Sequence, residues 1–164
     1  MSAPAVALTP LRISPETPFD RSVVEGLVLR AFGPGRFAKT AERLREQSRL
    51  AAGFVARDAD QVVGSVRLWE ITVADHPALF LGPIAVEGDR RRGGVGADLV
   101  QACIDHARTT GVAGVLLVGD QPYFARFGFE QAPSVTLPGP VDRRRVMWLP
   151  LTEPAPTGPA HPAG

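Results

Sequence analysis

The stretch LGPIAVEGDRRRGGVGADLV, residues Leu81 to Val100, decides the fold. It passes from an apolar segment through three consecutive arginines, Arg90 to Arg92, into a glycine-rich turn and then into a helix-like run. The segment Ala78 to Glu87 has the composition of a strand, yet Gly82 and Pro83 interrupt its middle. Proline donates no ladder hydrogen bond, so this reads as a strand distorted by a bulge. From about Gly94 to Thr109, Val95, Leu99, Ala102, Cys103 and His106 recur on one side of a helix, with Asp98, Gln101, Asp105 and Arg108 on another. Gly111 ends it.

Strand, basic glycine turn and helix start together describe an anion seat. The first amides of a helix have no partner within it, and the helix dipole adds partial positive charge there. Glycines let the backbone approach a ligand without a Cβ in the way, and Arg91 and Arg92 add charge. Two familiar phosphate loops do not fit. There is no glycine–lysine loop of the nucleotide-hydrolase kind, and the dinucleotide fingerprint fails because Leu99 stands where its third glycine belongs. The spacing that fits is Arg/Gln-x-x-Gly-x-Gly/Ala, as Arg91-Arg92-Gly93-Gly94-Val95-Gly96. On these six residues alone, a solvated helix entrance is an equally good reading.

The rest of the chain gives the turn its setting. A length of 164 residues suits one domain, and a formal net charge of +1 confines any polyanion site to a local patch. Cys103 is the only cysteine, so no intrachain disulfide forms, as suits a reducing compartment. The N-terminal residues lack the charge and apolar run of a signal peptide, and no segment has the ~18 apolar residues of a membrane helix. A cytoplasmic protein without a membrane partner is expected.

Leu11 to Ser14 reads as a first strand, after a loose segment over residues 1–10. Asp20 caps a helix to about Phe32, with Val23, Val24, Leu27 and Ala31 inward; a second helix covers roughly Ala38 to Arg49. GFVARDADQVVGSVRLWEITV reads as a hairpin, with strands over Phe54–Arg57 and Val62–Val73. Gly114 to Asp120 is a short buried strand, QPYFARFGF a possible short helix, and Glu130–Leu137 and Arg145–Leu151 late strands. The expected domain is 11–151, and the Pro/Ala/Gly-rich tail 152–164 is expected to be disordered.

LGPIAVEGDRRRGGVGADLV, LLVGDQPYFARFGFE and the hairpin GFVARDADQVVGSV together resemble the GNAT N-acetyltransferase superfamily, in its YhbS-like branch. The resemblance spans roughly Leu11 to Leu151. It implies an α/β (α+β) fold: a mixed, splayed central β-sheet flanked by helices. In that family acyl-CoA lies where two strands diverge, here Ala78–Glu87 and Gly114–Asp120. The resemblance places the pantetheine arm on the main chain of Ile84, Ala85 and Val86, and the diphosphate on Arg91, Arg92, Gly93, Gly94, Val95, Gly96 and Ala97. It implies acetyl-CoA as cosubstrate, no metal, a small-molecule or peptide amine as acceptor, and direct transfer in a ternary complex. The Ile84 N–H would stabilise the oxyanion. Dimers are common among similar proteins, which makes a homodimer an expectation of the same kind.

The family commonly carries a tyrosine four residues before the glycine of its terminal Gly-Phe. That position here is Phe124, while the chain's only tyrosine, Tyr123, is its neighbour. Tyr123 is the candidate general acid, set against an ordinary packing role. The Phe124 departure also keeps open a non-catalytic acyl-CoA-binding or regulatory module. Glu70 and Glu87 are candidate bases, or solvated charges. Arg36, Phe37, Arg67 and Trp69 fall in segments that shape the acceptor pocket in the family. Cys103 and His106 lack further ligands at metal spacing and read as core or core-edge residues. Arg143 to Arg145 reads as a solvated hairpin, set against a patch that attracts an acidic acceptor. One arginine–glycine run without interleaved aromatics is poor evidence for RNA binding, and no nucleic-acid partner is expected.

Overall fold

Two long apolar strands, β3 (Gln61–Val73) and β4 (His76–Val86), pair antiparallel and form the middle of the molecule. The computed structural model describes residues 11–32, 44–88 and 94–163. In chain order the remaining elements are β1 (Arg12–Pro15), α1 (Arg21–Phe32), β2 (Arg49–Asp58), α2 (Val95–Thr110), β5 (Gly114–Val118), α3 (Gln121–Phe124), β6 (Glu130–Gln131), β7 (Val135–Thr136), β8 (Val146–Pro150) and β9 (Gly158–Pro162). The main sheet runs β1-β2-β3-β4-β5-β8-β6, and within that order only β4 and β5 are parallel. This is the mixed α/β sheet expected.

The helices lie on opposite faces. On one face, Val95, Leu99, Cys103, Ile104 and Ala107 of α2 pack on Val66, Leu68, Leu79 and Leu81. On the other, Val24, Leu27 and Val28 of α1 cover Val55, Val62 and Ala85. The buried side of α1 is rotated from the expected one. Val23 is exposed and Val28 is inside, because both sets satisfy the helical period and the sheet selects one.

Asp20 does not cap α1 as expected. It closes a 3-10 turn, Pro18–Asp20, and its carboxylate accepts from the Thr17 N–H at 2.8 Å and from Arg57 at 2.6 Å. The predicted second helix lies largely outside the described residues; its described end stops short of Arg49, where β2 begins. The late strand expected over Glu130–Leu137 is two short strands with a turn between them.

The tail holds the main correction. Expected to be disordered, it carries β9, which pairs with Ile71–Val73 of β3 and with β7. The prolines there serve as acceptors, as in Ala74 N–H to Pro159 O at 3.0 Å, so their missing N–H is not needed. Ala160 faces inward and closes a second core over Phe80, Leu116 and Trp148. Trp148 in turn donates its indole N–H to Glu153 O at 3.0 Å. The folded unit therefore extends past residue 151. Among the described residues no helix is long and apolar enough to cross a membrane.

Candidate functional site

The parallel ladder between β4 and β5 contains only Leu79↔Val115 and Phe80↔Leu116. Beyond these residues the strands part, and among the described residues no strand pairs with that edge of β4. The departure coincides with a bulge. Val66 faces Ile84 and Leu68 faces Leu81, so Gly82 and Pro83 together oppose Arg67. Gly82 sits at φ +140°, a conformation glycine adopts readily.

The phase of the ladder shows where the main chain points after the bulge. The Glu87 N–H bonds Val63 O of β3 at 2.8 Å. Antiparallel strands alternate between groups turned to the partner and groups turned away. Ala85 therefore directs its main chain to β3, opposite Ser65. Ile84 and Val86 direct theirs to the opening. The Ala85 methyl group is buried beneath α1.

Helix α2 starts beside the end of β4. A Cβ on Gly64, which faces Val86, would meet Val95 Cγ1 at 3.0 Å. Among the described residues the first hydrogen bond of the helix is Asp98 N–H to Gly94 O at 3.0 Å, and the amides of Val95, Gly96 and Ala97 precede it. Gly94 at φ +76° turns the chain into the helix in the left-handed region. Arg91, Arg92 and Gly93 lie outside the described residues, as do Arg36 and Phe37.

Phe124 and Tyr123 divide between core and opening. The Phe124 ring fills the space left by Gly119, where a Cβ would come within 2.4 Å of it, and packs on Phe129 at 5.8 Å between centroids. Tyr123 is half-buried, and its hydroxyl lies 3.4 Å from where a Gly96 Cβ would be. Burial raises its phenol above the ordinary value; the Arg126 guanidinium, 4.4 Å over the ring, opposes this, and Asp98 adds to it.

The profile of the Acetyltransferase (GNAT) family matches residues 24–129. The chain belongs to the GNAT acetyltransferase family. Among its relatives, the uncharacterized N-acetyltransferase YhbS of Escherichia coli (strain K12) is 34% identical over 120 residues, covering 71% of this chain and 72% of that protein. The uncharacterized N-acetyltransferase YjhQ of the same strain is 32% identical over 120 residues, covering 68% and 65%. The crystal structure of Escherichia coli YhbS in complex with CoA matches with a TM-score of 0.79 at 28% identity, over 93% of this chain and 89% of that one. A GNAT acetyltransferase from Brucella melitensis in complex with acetyl-CoA shares the fold, with a TM-score of 0.74 at 22% identity over 95% and 97%.

The other candidates in this GNAT chain are accounted for by their neighbours. Glu87 pairs with Arg30 at 2.7 Å, and Glu70 lies 3.7 Å from Arg49. Cys103 is fully buried, which pushes its thiol far above the ordinary range. His106 meets the Phe54 ring edge-on at 6.0 Å. Exposed Arg144 pairs with Asp142 at 3.1 Å. Arg67 is bound by both Glu16 oxygens, at 3.0 and 2.9 Å, and Trp69 donates its indole N–H to Gly82 O at 2.6 Å. Sequence reasoning passed over Glu16. The available signal was an arginine inside an apolar strand, which calls for a carboxylate.

Proposed function

We propose that this protein transfers an acyl group, acetyl in the first instance, from acyl-CoA to a small-molecule or peptide amine by direct attack in a ternary complex. The observation that carries the reading is the half-open strand β4. Its edge is released past Phe80, its bulge precedes an amide turned to the opening, and a helix start stands at its end. These features fit an extended donor with an anionic end. Ile84 offers it a strand-like bond, with the Val86 main chain turned to the same side, while the amides of Val95, Gly96 and Ala97, with Arg91, Arg92, Gly93 and Gly94 ahead of them, hold the diphosphate. The ladder turns the Ala85 main chain to β3, away from the donor. The CoA-bound YhbS structure supports the donor class.

The amine nitrogen bonds to the thioester carbonyl carbon, the carbon–sulfur bond breaks, and the leaving thiolate takes a proton. The Ile84 N–H meets the oxygen on which charge develops. Deprotonating an acceptor with the reference lysine pKa costs about 4–5 kcal/mol at pH 7. With Glu70 and Glu87 each beside an arginine, a water chain is the route we assign to that proton.

Calorimetric titration with CoA tests the seat, and a panel of amines with CoA release as readout tests transfer. Gly96→Leu places a side chain at the seat and abolishes CoA binding in a folded protein. Tyr123→Phe separates the sources of the thiolate's proton. A kcat loss of roughly 100-fold assigns it to Tyr123, and an unchanged kcat assigns it to water. The buried Phe124 favours one second reading, a binding module that takes up CoA and releases none with any amine.

A further inference from the structure

We propose that Trp69 is a positioning residue for acyl transfer: its indole N–H turns the Gly82 carbonyl away from the thioester and so sets the peptide that leads to the Ile84 amide. This inference rests on the proposed function. Gly82 and Pro83 are the two residues that bulge out opposite Arg67. Pro83 has no N–H, so Ile84 supplies the first amide after the bulge. A carbonyl displaced from the ladder still needs a donor. Turned to the opening, its oxygen would put partial negative charge beside the oxygen on which charge develops. The Trp69 indole, 2.6 Å from Gly82 O, gives it a donor. Trp69 faces Phe80 across the strands and reaches diagonally to Gly82, within the range of a large aromatic side chain. Arg67, opposite the bulge and two residues before Trp69 on β3, is fixed by its two bonds to Glu16.

The half-buried Trp69 ring packs on the second core, so Trp69→Phe keeps much of the packing and removes the donor. Two readouts on the full chain decide the matter. In steady-state assays the variant loses about tenfold in kcat while the KM for acetyl-CoA stays within twofold. By NMR, the Ile84 amide of the wild type responds differently to acetyl-CoA and to CoA, and the variant loses that difference while still binding CoA. A kcat within twofold of wild type overturns the inference, as does a rise in KM alone or an Ile84 amide that distinguishes the two ligands equally well in the variant. A wild type that binds no CoA overturns the proposed function beneath it. A wild type that binds CoA with an indifferent Ile84 amide overturns this inference alone.

Discussion

The two halves of β4 differ in what they are built to do. His76–Phe80 is bonded to β3 on one edge and reaches β5 on the other, with Phe80 buried in a core. Leu81–Val86 keeps β3 but loses β5, carries the bulge, and leaves Ile84 and Val86 half-buried. One half ties the sheet together, and the other, in the proposed function, presents the Ile84 main chain to the acyl donor. The partition predicts that substitutions in the two halves separate stability from activity.

The largest effect is expected at Ile84. Ile84→Pro deletes an N–H that points to the opening and not to the β3 ladder. We expect a loss of about 100-fold or more in kcat with a small change in Tm, read by CoA release and thermal melting. Ala85→Pro, one residue on, removes a ladder donor and should unfold the sheet; equal outcomes for the two variants would break the comparison. Phe80→Ala sharpens it from the other half. It should cost about 3–5 kcal/mol in denaturant unfolding, with kcat nearly unchanged for the folded fraction.

A smaller effect is expected at Asp20. Arg57 first, then Thr17, hold its carboxyl below the usual value of 3.8, against the opposing effect of burial. A lowered folded value means the stabilisation is present above the unfolded pKa and is lost as pH falls through the folded one. Asp20→Asn should cost roughly 2 kcal/mol at neutral pH and flatten the loss of stability below about pH 4. Least affected is Cys103, whose buried, protonated thiol should resist alkylation in the native state, leaving CoA release unchanged.

The features legible in the sequence were local. The Gly-Pro break inside an apolar run marked the bulge, and the glycine turn before an amphipathic helix marked the helix start at Gly94. What escaped depended on partners distant in the chain. Asp20 resembled a cap until Arg57 claimed it, and Val23 and Val28 were indistinguishable until the sheet chose between them. The tail's composition concealed a strand because its prolines act as acceptors. The family resemblance singled out Phe124, and the missing side chain at Gly119 leaves room for its ring in the core.

The phase of β4 has a consequence for how this chain can vary. Facing Ile84 toward the opening is a matter of odd and even positions counted from the ladder with β3. Lengthening or shortening the stretch between Leu81 and Ile84 by one residue would exchange the amides of Ile84 and Ala85 and turn a buried methyl outward. Spacing, more than residue identity, is what this strand has to keep.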